Sequence, residues 1–205
     1  VELANILKIS LPEEFYIFTF HPETNSADYG QELLKSFLNQ LQNRLDLAPA
    51  KVIFTGVNND HGSSQIKKIL ESFCQLNSEK AHYFESLGVL NYLSMVRHSA
   101  AVLGNSSSGV LEAHSLKTPA VNLGSRQAGR EREESLIDLV NLEQVQKFNF
   151  ENVVNSKKLL LAQSNSSIFG NGKTSEKITN YLVTKVLPTL SLNEGKSKVF
   201  FDLPS

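Results

Sequence analysis

Gly104-Asn105-Ser106-Ser107-Ser108-Gly109 follows a short apolar run and precedes a segment with helical spacing. Glycine and serine leave backbone N–H groups uncovered, so such a segment lets a phosphate approach where bulkier side chains would shield the amides. The same composition suits an ordinary serine N-cap on a flexible turn, and it matches neither the Walker loop nor G-x-G-x-x-G. Glu112 lies four residues after Ser108, one helical turn on. A carboxylate there repels phosphate but accepts hydrogen bonds from hydroxyls, such as the vicinal pair of a ribose; it also suits a solvent-facing Glu that complements a helix N-terminus.

Gly124-Ser125-Arg126-Gln127-Ala128-Gly129-Arg130 brings guanidinium groups, which grip phosphate or carboxylate in bidentate fashion. Arg132 falls in the nearly self-neutralising run Arg130-Glu131-Arg132-Glu133-Glu134 and reads as a solvated face, whereas Arg126 stands outside that run. His21, in Phe20-His21-Pro22-Glu23, suits an acid, a base or a cationic donor near neutral pH, and a structural histidine would look the same. His61, His82, His98 and His114 show no metal-ligand spacing with it, so neither a metal nor a cofactor is expected.

These residues need a scaffold that gathers separate loops. Phe15 to Phe20, Lys51 to Thr55, Ala81 to Phe84, Ala100 to Leu103 and Pro119 to Leu123 read as short buried strands. Between them, helical spacing marks Leu33, Leu34, Phe37, Leu38 and Leu41; then Ile66, Ile69, Leu70 and Phe73; then Val89, Leu90, Leu93 and Val96; and a helix from about Gly109 to Ser115. Strict alternation of strand and helix predicts an α/β fold, a Rossmann-like parallel sheet with helices on both faces. Ligands on such sheets gather outside the carboxyl ends of the strands, where each loop above emerges. Beyond Leu139 two helices are expected, around Glu143 to Ala162 and Lys173 to Leu187, separated by Phe169-Gly170-Asn171-Gly172.

Composition narrows the function. The 205 residues are 40 % hydrophobic, with 20 Lys and Arg against 21 Asp and Glu, which suits one globular domain and lacks the basic excess of a nucleic-acid binder. Cys74 is the lone cysteine, and no stretch reaches the roughly 18 apolar residues of a membrane span, so a reduced, cytoplasmic setting without membrane partners is expected. The chain starts at Val1 with no signal-like segment, which suggests a piece of something longer.

Taken together the loops resemble the C-terminal half of the UDP-N-acetylglucosamine 2-epimerases, particularly the hydrolysing type of sialic-acid-like nonulosonate biosynthesis. The resemblance is carried by Phe20-His21-Pro22-Glu23-Thr24, Phe54-Thr55-Gly56-Val57-Asn58-Asn59-Asp60, Ser86-Leu87-Gly88 with Tyr92-Leu93, and the block from Gly104 through Glu112 to Arg130. Phe169 to Ile178 looks like the family's Gly-Asp-Gly turn and Lys198 to Asp202 like its C-terminal tail.

The resemblance implies one half of a two-domain enzyme of glycosyltransferase-B type, with residues 1–205 as a single UDP-binding domain and the N-terminal domain absent. It implies elimination of UDP followed by addition of water, giving N-acetylmannosamine, with the acid/base carboxylates on the other domain. Ser106 and Ser107 would bind the diphosphate, Glu112 the ribose, Arg126 the phosphates, Ser86, Leu87 and Gly88 the uracil through backbone, and Asn58 with Asp60 the sugar and phosphate end. His21 matches the histidine at the reacting centre. The implied partner is a UDP-sugar, with homo-oligomerisation left to the full-length protein. Asn171 replaces the usual Asp of the turn and His114 stands where relatives often carry a small residue. The alternatives are a domain of a related UDP-sugar glycosyltransferase and a nucleotide-binding module without chemistry.

Overall fold

The computed structural model describes residues 9–162 and 167–191. Six strands form one sheet: β1 (Glu14–Thr19), β2 (Ala50–Thr55), β3 (Ala81–Phe84), β4 (Ala101–Gly104), β5 (Ala120–Leu123) and β6 (Leu136–Leu139). Every pairing is parallel and the order is β3-β2-β1-β4-β5-β6. Along β1 the side chains alternate between two cores. Tyr16 and Phe18 pack on one face with Leu34, Phe37 and Leu41 of helix α1 (Gln31–Leu47) and Ile66 and Leu70 of α2 (Ser63–Leu76). Phe15 and Ile17 pack on the other with Met95 and Val96 of α3 (Val89–His98). Both faces are covered, which is why these strands read as continuous apolar runs.

Local chemistry starts the first helix. The Asp28 carboxylate accepts from the N–H of Gly30 at 3.0 Å and of Glu32 at 2.8 Å, supplying partners to amides that the first helical turn leaves open. At the other end, Arg44 grips Glu14 with two nitrogens, at 2.8 and 2.6 Å, tying α1 to the start of β1.

The structure departs from the sequence reading at several elements. A sixth strand, β6, was not expected; it has only four residues and is held at the edge by Asp138, which accepts from Asn122 at 2.7 Å and pairs with Arg132 at 3.2 Å. Arg132 is therefore engaged with a strand rather than merely solvated. The expected helix from Glu143 to Ala162 is two helices, α5 (Leu142–Gln146) and α6 (Glu151–Ala162). Phe148 and Phe150 between them turn into the core against Phe37, and the Asn149 side chain accepts from the N–H of Glu151 at 2.9 Å, starting the second helix.

The helix expected from Gly109 to Ser115 is likewise split, into α4 (Ser107–Leu111) and a 3₁₀ turn at His114–Leu116. The His114 ring lies 2.9 Å from the Ser135 hydroxyl and 3.6 Å from the Glu133 carboxylate, so its unusual side chain serves packing between that turn and the loop before β6.

The chain divides into two compact units, Val1–Ile168 and Phe169–Ser205. In the second, the Gly170 to Gly172 turn leads into α7 (Thr174–Tyr181), a wider π-type turn over Leu182–Val186 and α8 (Leu187–Ser191). The tail motif from Lys198 to Asp202 lies outside the described residues. Among those residues no helix is long and apolar enough to cross a membrane, and no three His, Cys, Asp or Glu side chains are placed to hold a metal ion.

Candidate functional site at the carboxyl edge of the sheet

The strand order reverses between β1 and β4, and at such a switch point the loops on either side diverge and leave a crevice. Asn105, fully buried, sits there just beyond β4. Its side chain grips the backbone of His21, accepting from the N–H at 2.7 Å and donating to the carbonyl at 2.8 Å. Its own carbonyl accepts from Gln127 at 2.8 Å and from the Arg126 guanidinium at 3.4 Å. One buried residue thus joins the loops after β1, β4 and β5, through its side chain on one side and its backbone carbonyl on the other. The sequence reading passed over Asn105 as part of a serine-rich run; a large polar residue straight after a buried strand was the available signal.

His21 is held on its other side as well. Its Nδ1 accepts the backbone N–H of Asn58 at 3.1 Å, so the ring proton resides on Nε2. Burial, reinforced by the Arg126 charge and opposed by Asp60, pushes its pKa down to about 4. The ring is neutral near pH 7, and it offers an N–H donor rather than the cationic donor allowed above. Asn58 in turn bonds its side chain to the Asp60 carboxylate. His21, Asn58, Asp60 and Arg126 therefore share one neighbourhood.

Ser86, Leu87, Gly88 and Glu112 are brought together elsewhere along the same edge, around an open cleft of about 340 Å³ that Thr55 and Tyr92 also line. That is near the lower end of volumes that hold a small ligand. Leu87 is turned into the core beside Met95, while Glu85 and Ser86 of the same loop are exposed, the first paired with Lys67 at 2.8 Å and the second accepting from the Gly88 N–H at 3.2 Å. Glu112 is exposed and accepts the Ser108 hydroxyl proton at 2.6 Å, so one carboxylate oxygen is committed and the other is free for a ligand. The Tyr92 hydroxyl is shut off from solvent beside Ser108 and Thr19, without a well-formed hydrogen bond to either. Sequence reasoning gave Tyr92 no role beyond its place among the residues that carry the family resemblance.

Ser106 caps α4, its hydroxyl accepting from the Ser108 N–H at 3.4 Å, so the cap and the anion-binding reading coexist in one residue. Ser107 opens α4 and is half-buried. With only five residues this helix carries little macrodipole, and any anion here is met by individual amides, hydroxyls and Arg126. Val89 and Leu90, expected on the buried face of α3, are 78 % and 80 % exposed; Val96, expected there too, is fully buried, and Met95 joins it against the sheet.

The family model described as UDP-N-acetylglucosamine 2-epimerase matches residues 1–183. The chain is 40 % identical over 137 residues to a Campylobacter jejuni protein named GDP/UDP-N,N'-diacetylbacillosamine 2-epimerase (hydrolyzing), covering 67 % of this chain and 35 % of that one. It is 32 % identical over 128 residues to the UDP-N-acetylglucosamine 2-epimerase of Neisseria meningitidis, covering 62 % and 32 % of the two chains. Among solved structures, MnaA of S. aureus in complex with UDP superposes with a TM-score of 0.62 at 16 % identity, over 98 % of this chain and 52 % of that one, which shows a shared fold. The chain thus spans about a third of the length of these curated relatives and about half that of the solved one.

Proposed function

Because the chain belongs to the UDP-N-acetylglucosamine 2-epimerase family, we propose that it forms the nucleotide-holding half of a cytoplasmic, hydrolysing 2-epimerase. The complete enzyme would convert a UDP-N-acetylglucosamine-type sugar and water to the 2-epimeric free sugar and UDP. The observation that carries this reading is one buried residue, Asn105, whose side chain holds the backbone of His21 and whose carbonyl accepts from Arg126 at the switch point of the sheet, on the same edge as the cleft bearing Glu112.

Elimination breaks the bond between the sugar's anomeric carbon and the diphosphate oxygen while the proton on carbon 2 leaves. Negative charge grows on the departing diphosphate. Arg126 is exposed and, with one nitrogen on the Asn105 carbonyl, has its other N–H groups to meet it, the Ser107 hydroxyl and the first amides of α4 add neutral donors, and the Nε2–H of His21 donates to the leaving oxygen. Asn58 and Asp60 line the sugar end. In the cleft, the free oxygen of Glu112 accepts from the ribose hydroxyls, and the backbone of Ser86, Leu87 and Gly88 faces uracil. Removal of the carbon-2 proton and delivery of water fall to carboxylates of an N-terminal domain, as the resemblance implies.

Two expected outcomes test this assignment. Residues 1–205 by themselves bind UDP in calorimetry but release no N-acetylmannosamine from UDP-N-acetylglucosamine; release by this chain alone would show that the acid/base groups lie within it. Glu112→Ala weakens UDP by about 1 to 3 kcal/mol, the range for losing hydrogen bonds to a charged group, and leaves pyrophosphate nearly unchanged. Equal weakening of both ligands would mean that Glu112 supports the loop through Ser108 rather than reading the ribose.

A second sugar is favoured by one finding: the C. jejuni relative is named for N,N'-diacetylbacillosamine. Mass spectrometry of the complete enzyme offered both nucleotide sugars decides between them.

A further inference from the structure

Glu23 is 7 % exposed, and its Oε1 accepts two backbone N–H groups from a loop about a hundred residues away, Ser125 at 2.7 Å and Arg126 at 2.9 Å. Its own backbone is pinned, the N–H donating to the Tyr29 carbonyl at 3.1 Å and the carbonyl accepting from Ser26 at 2.9 Å. The approach is close enough that a Cβ at Gly124, where φ is +77°, would lie 2.3 Å from Oε1. Only glycine fits there.

A buried carboxylate beside a place for a diphosphate is unfavourable unless it secures something else, since it is costly to desolvate and repels the ligand. What it secures is visible in the loop. The amides of Ser125 and Arg126 are consumed by Glu23 and so are withdrawn from anion binding, while the Arg126 side chain is sent to the carbonyl of Asn105, whose amide in turn holds His21.

We propose that Glu23 is a positioning residue whose buried carboxylate sets the loop after β5 so that the Arg126 guanidinium stands beside Asn105 and His21. Its relevance to catalysis rests on the reading of His21 and Arg126 given above.

The test follows His21 itself by NMR titration of its imidazole in the 205-residue chain, with the signal assigned from the spectrum of His21→Gln. The charged groups facing His21 are Arg126, which lowers its pKa, and Asp60, which raises it. Glu23→Gln removes a negative charge, and by direct electrostatics alone that lowers the His21 midpoint or leaves it unmoved. Positioning predicts the opposite sign, because the guanidinium leaves its place: the midpoint rises by about half a pH unit or more, towards that of Arg126→Ala, and the double variant matches Arg126→Ala alone.

Glu23→Asp keeps the charge but withdraws the oxygens by one methylene, so it also raises the midpoint and serves where the Gln variant does not fold. A fall or no change in both variants overturns the proposal, as does an Arg126→Ala variant that leaves His21 unmoved. The titration needs no substrate. It is therefore decided separately from the epimerase reading, which fails if the complete enzyme releases no free sugar from either UDP-sugar.

Discussion

Turnover of the complete enzyme falls by about 10²- to 10⁴-fold when His21 is replaced by alanine, the usual contribution of a positioned acid, base or charge-stabilising donor, while UDP affinity changes little. The geometry makes a further distinction. With Nδ1 occupied by the Asn58 amide and the pKa near 4, the ring acts through a neutral Nε2–H. A glutamine can present an N–H without titrating, so His21→Gln keeps a substantial part of the activity lost in His21→Ala. Equal loss in both variants points to a proton that must be transferred, and full activity in the alanine variant removes His21 from the mechanism.

The pH profile carries the same argument. The folded pKa lies below the ordinary value of about 6.5 for histidine, so the His21 contribution to stability is complete above pH 6.5 and is lost as pH falls towards 4, where the unfolded chain takes up a proton first. For kcat/KM, which reports the free enzyme, the acid limb from His21 lies near pH 4, and a break at pH 6 to 7 that disappears in His21→Gln would contradict the neutral ring.

Gly104→Ala is expected to destabilise the chain by about 2 to 6 kcal/mol, summing backbone strain and steric overlap of about 1 to 3 kcal/mol each. The φ of Gly104 is +110°, and a Cβ there would sit 2.0 Å from the carbonyl oxygen of Thr19 in the neighbouring strand. Backbone on that side cannot yield as a flexible side chain would. The loss is a large part of the roughly 5 to 15 kcal/mol by which a domain is stable, so the variant unfolds at a much lower urea concentration or fails to accumulate. It also moves Asn105, whose N–H donates to the same Thr19 carbonyl at 3.0 Å, and with it the grip on His21. An unchanged urea midpoint would show that β1 and β4 separate more easily than their packing implies.

The alternation of buried runs with helical spacing was sufficient for the parallel sheet and for the edge at which the strand-to-helix loops emerge. Tyr16 and Phe18 against Phe15 and Ile17 show why: a strand covered on both faces needs apolar side chains at every position, and that leaves an unmistakable run. The placement of the candidate residues at strand ends was equally legible, because Gly, Ser, His, Glu and Arg stand out by type where each buried run stops. Short elements were not. Four residues containing Asp138 have no periodicity to detect, and the break at Phe148 and Phe150 depends on an aromatic cluster assembled from α1.

The tertiary structure alone decided the strand order, and so which loops meet. Asn105 reaches back 84 residues to His21, and Glu23 reaches forward more than a hundred to the Arg126 amide. A sequence shows the type of a side chain but not which distant backbone it satisfies. The ionisation of His21 belongs to the same class of facts, since it depends on burial, on Arg126 and on an amide of the β2 loop, all brought to one place only when the sheet forms.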